Sequence, residues 1–267
     1  MASYETWLAG EGIAVTRILG GRSGSFLVAN GTRRLLVDTG TPQDRRRLAS
    51  RLAALGVDRL DWLVLTHTHY DHAGNARFIK DHFGARVVAH RAETEYLARG
   101  LTDGEGVVPR GTNPPLRFAT DRLESLITRA LSFEPCAADL AVEGQFDFAD
   151  DGLCARLVHT PGHSIGSISV IVGDADSARA CAVGAEGVSV GGPVALAGDA
   201  VFGVFSGSAF PPFAWDAKRL VESWSVLLET SCRVFIPAHG KPVTRALLER
   251  ELNERRRTVG VGEDRHG

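Results

Sequence analysis

A short cluster of metal-binding side chains constrains this chain more than any other feature. Residues 66–74 read THTHYDHAG and place three of the nine histidines, with one aspartate, between positions 67 and 72. Crowding imidazole and carboxylate groups together in a folded chain is costly unless a cation holds them. We therefore predict a metal site here, and the chain must fold so that further ligands can reach it.

The residues around the cluster indicate how it is held. The apolar run DWLVLT at 61–66 is typical of a buried strand. Residues two apart in an extended segment face the same way, so His67 and His69 are predicted to point at one ion. Asp71 and His72 fall where the chain turns into the next predicted helix, so they are predicted to reach a second ion beside the first.

Three later stretches carry further ligand chemistry, and each follows a predicted strand. They are HTPGHSIGS with His163, LAGDAVFG with Asp199 and FIPAHGK with His239. Because all three residues stand at strand ends, we expect them to converge with the first cluster on one edge of the sheets.

The order of these motifs resembles the metallo-β-lactamase-fold hydrolase superfamily. HTHYDH is followed by PGH, GD and PAHG, and LLVDTG at 35–40 matches as well. The resemblance implies a four-layer αββα sandwich, with two mixed, mostly antiparallel sheets and the helices outside. It also implies a dinuclear site with these ligands: His67, His69 and His163 for the first metal, Asp71, His72 and His239 for the second, and Asp199 as a bridge.

The resemblance also implies the chemistry. Imidazole and carboxylate donors suit two Zn²⁺ ions, and manganese or iron is compatible with the same donors. Two such ions share a water and lower its pKa towards ~7, which makes a metal-bridging hydroxide the expected nucleophile. Asp71 is expected to act as both ligand and catalytic proton acceptor. Asp38 is predicted to orient the ring of a ligand histidine, with a simple turn residue as the alternative.

The substrate is less constrained than the site. Within the superfamily, the glyoxalase II and lactonase-like branch predicts hydrolysis of a small ester, thioester or lactone. Acyl-homoserine lactonases carry a tyrosine three residues beyond the bridging aspartate, where this chain has Phe202. Two alternatives use the same metal site: an iron-dependent persulfide dioxygenase and a small-molecule phosphodiesterase.

An aromatic stretch after Asp199 predicts an apolar wall beside the metals. FGVFSGSAFPPFAW at 202–215 includes Phe202, Phe210 and Trp215, which suit a hydrophobic acyl or aryl group. The alternative is that these residues pack the core or a homodimer interface. We expect one domain over 1–267 with an insertion at about 101–150, whose Gly- and Pro-rich part at 101–118 forms a lid, a dimer contact or a passive surface loop.

Composition limits the partners. The formal net charge of −2 predicts neither a nucleic acid nor an anionic membrane as a partner. No run of eighteen apolar residues exists, and the start MASYETWLAGEG lacks the pattern of a secretory signal. The four cysteines are far apart, as in reduced proteins. We expect a cytoplasmic enzyme that acts on a small molecule.

Overall fold

The computed structural model describes residues 4–21, 23–102, 131–173, 188–189 and 192–258. The predicted lid at 101–118 lies outside these residues, apart from Leu101 and Thr102. Within the described part, no helix is both long enough and apolar enough to cross a membrane.

Two mixed sheets form the centre of the described chain. The strands are β1 (Thr6–Gly10), β2 (Ile13–Leu19), β3 (Ser25–Asn30), β4 (Arg33–Val37), β5 (Trp62–Val64), β6 (Arg86–His90), β7 (Leu140–Val142), β8 (Phe146–Asp147), β9 (Ala155–His159), β10 (Ile168–Val172), β11 (Val188–Ser189), β12 (Val194–Gly198), β13 (Val234–Pro237) and β14 (Val243–Thr244). The first sheet has the order β11-β1-β2-β3-β4-β5-β6-β7. The second has the order β14-β13-β12-β10-β9-β8.

The helices of the described chain follow or connect strands in sequence, and the longer ones pack on the outer faces of the two sheets. They are α1 (Arg45–Ala54), α2 (Tyr70–Ala73), α3 (Ala76–Phe83), α4 (Thr94–Arg99), α5 (Ala217–Glu229) and α6 (Arg245–Thr258). Asp216 begins α5, because its carboxylate accepts hydrogen bonds from the backbone N–H groups of Lys218 and Arg219. Gly84 ends α3 in the left-handed region, at φ 67°.

Alternation along the strands builds the layers. In β4, Leu35 and Val37 pack between the two sheets, whereas Leu36 packs outward with residues of α1, α3 and α4. In β10, Val170 faces the layer between the sheets and Ile171 packs outward with residues of α5 and α6. Both faces of these strands are therefore buried, which confirms the predicted αββα sandwich.

Residues 131–150 are the described end of the predicted insertion, and they contribute to both sheets. β7 pairs in parallel with β6 in the first sheet, and β8 pairs antiparallel with β9 in the second. A chain segment that adds a strand to each sheet links the two halves of the sandwich.

The directions of the strands bring several carboxyl ends to one edge of the sandwich. β4 and β5 are parallel neighbours in the first sheet. In the second sheet β12 and β13 are parallel, and β9 shares their direction because β10 runs antiparallel to both β9 and β12. The two sheets are joined at this edge by a hydrogen bond of 2.9 Å from the N–H of Ile168 to the carbonyl of Thr66. The carboxyl ends of five strands thus meet here.

Candidate metal centre

The first predicted ligand triplet comes together from both sheets. His67 and His69 stand on the loop after β5, and their ring centroids are 4.4 Å apart. His163 stands on the loop after β9, and its Nε2 lies 3.1 Å from Nδ1 of His69. One potential ligand atom from each of the three histidines lies within 4.8 Å of the other two. All three side chains are buried.

The second predicted triplet lies beside the first. Asp71 and His72 are on the short helix α2, and His239 follows β13. The Nε2 atom of His239 is 3.4 Å from Oδ2 of Asp71, and Nε2 of His72 is 3.8 Å from Oδ1 of Asp71. The ligand atoms of these three residues also lie within 4.8 Å of one another.

Asp199 lies between the two triplets. Its Oδ2 is 3.5 Å from Nε2 of His163 and 3.3 Å from Nε2 of His239. Its Oδ1 is 3.5 Å from Nε2 of His72. A single carboxylate therefore contacts a member of each triplet, as a bridging ligand must. The preceding Gly198 has φ +51°, and a Cβ there would meet the side chain of Thr66 at 2.8 Å, so glycine allows this close approach.

Asp38 holds one ligand ring from behind. Its carboxylate accepts hydrogen bonds from the N–H and the hydroxyl of Thr66, both at 2.8 Å, and lies 2.9 Å from Nδ1 of His72. It is the one non-glycine residue with positive φ in the described chain, at φ 57°. With Nδ1 of His72 donating to Asp38, the lone pair of Nε2 points towards the other ligands. The structure therefore places Asp38 where the predicted orienting residue would stand.

The residues fit a divalent cation. The buried atoms of the described chain that have no hydrogen-bond partner include three in this cluster: Nε2 of His67, Nε2 of His72 and Oδ1 of Asp199. Buried polar atoms without partners are costly and uncommon. Nδ1 of His163 lies 3.0 Å from the carbonyl oxygen of Phe213 and donates to it, so its Nε2 faces inward towards the other ligands. Imidazole nitrogens and carboxylate oxygens converging in this way are donors that zinc prefers.

The charges of the metal-free cluster depend on its carboxylates. Burial lowers the pKa of His72, but attraction by Asp199, Asp71 and Asp38 outweighs burial and raises the pKa to about 10. Burial lowers the pKa of His67 well below its usual value, and the neighbouring histidines lower it further. Burial would raise the pKa of Asp199, but the surrounding histidines lower it below the usual range. The site is thus an ionised pocket that a cation can fill by displacing protons.

A cavity of about 240 Å³ opens over these ligands. Its lining is mostly apolar, and it consists of His69, Tyr70, Asp71, Thr102, Leu131, His163, Asp199, Phe202, Pro211, Pro212, Phe213 and His239. Phe202 is the predicted wall residue that lines it, with its ring centroid 5.2 Å from that of His239.

The other two predicted wall residues lie elsewhere. Phe210 packs edge-on against Trp224 and under the guanidinium of Arg255, next to the helices. The ring of Trp215 lies beneath Arg219. Phe213 lines the cavity instead; it belongs to the same aromatic stretch but was not among the predicted wall residues. This stretch is an irregular loop, in which buried and exposed positions follow no fixed period. The sequence therefore does not show which of its aromatic residues face the cavity.

Comparison with known proteins agrees with the fold. The family model described as the metallo-beta-lactamase superfamily matches residues 20–178, more than half of the chain. A metallo-beta-lactamase fold-containing protein of Sulfurisphaera tokodaii is 26% identical over 205 residues, covering 74% of this chain and 67% of that protein. A hydroxyacylglutathione hydrolase of Acidiphilium cryptum is 27% identical over 169 residues, covering 63% of this chain. The chain matches 52% of that enzyme's length, about half.

Solved structures show the same architecture. The subclass B3 metallo-beta-lactamase BJP-1 of Bradyrhizobium japonicum superposes with a TM-score of 0.61 at 17% identity, covering 97% of this chain and 94% of the other. At that identity the likeness concerns the fold alone. Together with the family match and the convergent histidines and aspartates, it shows that this chain is a hydrolase of the metallo-beta-lactamase superfamily.

Proposed function

We propose that this chain hydrolyses small esters, thioesters or lactones at a dinuclear metal site, with Zn²⁺ as the expected metal. The ligands would be His67, His69 and His163 for one ion, Asp71, His72 and His239 for the other, and Asp199 for both. The observation that carries the proposal is the position of Asp199, in contact with both ligand triplets on the floor of a mostly apolar cavity. The similarity to a protein named hydroxyacylglutathione hydrolase supports a thioester as one substrate class.

When bound, a pair of divalent ions supplies a water of lowered pKa, near ~7, and polarises a carbonyl oxygen. The chain's own residues prepare the rest. Asp38 and the carbonyl of Phe213 hold the rings of His72 and His163 in one orientation. Asp71 lines the cavity with 23% of its side chain exposed, so its carboxylate oxygens can accept the proton of an attacking water.

The cavity favours an uncharged substrate with an apolar group. Phe202, Phe213, Pro211 and Pro212 line one side, and none of the described lining residues is lysine or arginine. A phosphodiester brings an anionic phosphate that such residues commonly bind, so the phosphodiesterase alternative has less support. A volume of about 240 Å³ is below the usual range of about 300 to 1,000 Å³ for drug-sized ligands. We therefore propose a small acyl or aryl group as the part of the substrate that enters.

The test is a hydrolysis panel with zinc-loaded protein. We expect turnover of p-nitrophenyl butyrate, phenyl thioacetate or a γ-lactone, with bis-p-nitrophenyl phosphate turned over more slowly. His67→Ala and Asp199→Ala should lower kcat/KM by about two orders of magnitude or more, since each removes a metal ligand.

The matched control is His82→Ala, which removes an exposed imidazole on α3 outside the site. Its rates should equal those of the unchanged chain. Equal rates for all three variants would refute the proposal. Oxygen uptake with a persulfide and one iron per chain would select the dioxygenase, and preference for the phosphodiester would select the phosphodiesterase.

A further inference from the structure

Glu93 is a fully buried carboxylate outside the predicted ligand set. It ends the short 3-10 turn Arg91–Glu93 that follows β6. Oε2 accepts hydrogen bonds from the N–H of Thr68, at 3.1 Å, and from the Thr68 hydroxyl. Oε1 accepts hydrogen bonds from the hydroxyl of Ser164 at 2.6 Å and the N–H of Gly166 at 3.0 Å. Each carboxylate oxygen therefore serves a different loop.

These two loops carry the three-histidine triplet. Thr68 stands between His67 and His69, on the loop after β5 of the first sheet. Ser164 follows His163, on the loop after β9 of the second sheet. Glu93 thus spans the two sheets at the point where the ligands of one ion must be brought to a fixed separation. None of these four hydrogen bonds goes to Asp71, to His239 or to a residue next to either of them.

The packing around Glu93 leaves little room for adjustment. A Cβ on Gly166 would lie 2.5 Å from Cγ of Glu93 and 3.0 Å from Nδ1 of His90. His90 itself stacks on His159, with ring centroids 4.2 Å apart and planes 12° apart. Ser164 and Ser167 add a buried hydroxyl contact of 2.9 Å beside the carboxylate. The loop after β9 is therefore seated directly on Glu93.

All four groups that donate hydrogen bonds to the Glu93 carboxylate are neutral. Arg91, in the same 3-10 turn, pairs with Glu143 instead. A buried carboxylate is costly without a compensating positive charge nearby. A cation held by the histidines on the two adjoining loops would supply that charge.

We propose that Glu93 is a positioning residue that holds His67 and His69 at the correct separation from His163, and so raises the affinity of the three-histidine site for its ion. This inference rests on the metal site of the proposed function. It predicts an effect confined to one of the two ions, which a residue with a merely structural role would not show.

The test measures each ion site separately. In a His239→Ala chain the three-histidine triplet remains complete, and in a His163→Ala chain the other triplet remains complete. Glu93→Gln is introduced into both, because glutamine keeps the size but replaces one acceptor oxygen with an NH2 donor that faces the donors of one loop. We expect zinc affinity, measured by competition with a chromophoric chelator, to fall about 10- to 100-fold in the His239→Ala chain. In the His163→Ala chain it should change less than about threefold.

Glu143→Gln is the matched control, because Glu143 is an exposed carboxylate paired with Arg91. It should leave both affinities unchanged. Should Glu93→Gln fail to unfold cooperatively, Ser164→Ala removes one donor, and it should weaken zinc binding severalfold in the His239→Ala chain alone. The Co²⁺ absorption spectrum of that chain should change with it.

Equal weakening in both backgrounds, or none in either, would overturn the inference. If the wild-type protein takes up two zinc ions and Glu93→Gln binds zinc with the same affinity, this inference alone is overturned. An unchanged chain that binds no zinc would overturn it together with the proposed function.

Discussion

In the metal-free chain, three carboxylates surround the buried imidazole of His72. Burial disfavours its charged form, but Asp199, Asp71 and Asp38 together raise its pKa to about 10. An unfolded histidine titrates near ~6.5. Because the folded pKa is the higher one, the stabilisation by protonated His72 is complete below about pH 6.5 and is lost as the pH rises through about 10.

We therefore expect the free energy of unfolding of the metal-free protein to fall between pH 7 and pH 9. The contribution of His72 is at most about 1.4 kcal/mol per pH unit, the value for one proton. Denaturant unfolding in the presence of a chelator measures it. His72→Gln cannot titrate and should give a shallower slope; an identical slope would show that other groups cause the dependence.

Some residues of the candidate site could be predicted from the sequence and others could not. His67, His69, Asp71 and His72 were found because four ligand-type residues stand within six positions. Glu93 was not found, since its three partner residues lie 25 to 73 positions away and come together only when the two sheets pack. A lone glutamate in a helical pattern carries no local signal of such contacts.

Among the elements, strand length and burial decided what could be predicted. The apolar run at 61–66 was predicted to be a buried strand, and it contains β5, Trp62–Val64, whose three residues are all buried. The missed strands include β8, β11 and β14, which are two residues long and too short to show a period. Two-residue strands such as β8 and β14 form because a longer neighbour, β9 or β13, offers backbone groups for hydrogen bonding.

The loop that carries His163 is packed against the start of α5. The carbonyl of Gly162 accepts a hydrogen bond of 2.9 Å from the N–H of Asp216. Gly162 has φ +132°, and a Cβ there would lie 2.3 Å from the backbone nitrogen of Leu220. Neither the backbone conformation nor the space admits a side chain.

Gly162→Ala should therefore lower the free energy of unfolding by about 3 kcal/mol and weaken metal binding, because the loop must move off the helix. Gly144→Ala is the control, since a Cβ at Gly144 meets nothing within 4 Å. Thermal and denaturant unfolding compare the two variants. A Gly162→Ala protein as stable as Gly144→Ala would contradict the packing described for this loop.

The loop after β12 supplies the apolar side of the cavity, and its Phe213 tests the substrate proposal. The ring of Phe213 lines the cavity although half of the residue is exposed. Phe213→Ala should raise KM for a p-nitrophenyl hexanoate by about 5- to 30-fold, because apolar contact of about 1 to 2 kcal/mol is lost. The acetate ester should be affected much less.

Steady-state kinetics on the two esters make this comparison. Leu55→Ala is the control, because Leu55 is an exposed apolar residue at the end of α1 and outside the cavity lining. A Phe213→Ala change that affects both esters equally would argue against an apolar binding role for this ring.

At the scale of the whole molecule, the candidate centre joins the two sheets. His67, His69, Asp71 and His72 follow β5 of the first sheet, whereas the other ligands follow strands of the second. A cation bound by both sets favours the folded state over the unfolded one, by about 4 kcal/mol at a thousandfold excess over Kd. We therefore expect metal binding to stabilise the packing of the two sheets against each other.

Chelation should accordingly lower the midpoint of thermal unfolding by several degrees, and zinc should restore it. Magnesium is the control cation, because it prefers oxygen donors and should not replace zinc at histidine nitrogens. Calorimetry with EDTA, and then with each cation in excess, makes the comparison. A midpoint that does not move with EDTA would mean that the centre contributes nothing to stability.

Metal content per chain tests the central claim most directly, because the two triplets joined by Asp199 are proposed to bind two ions. After zinc loading and dialysis, elemental analysis should find close to two zinc ions in the unchanged chain. It should find close to one in His163→Ala and close to one in His239→Ala. One ion or none in the unchanged chain, or two retained in either variant, would contradict the account.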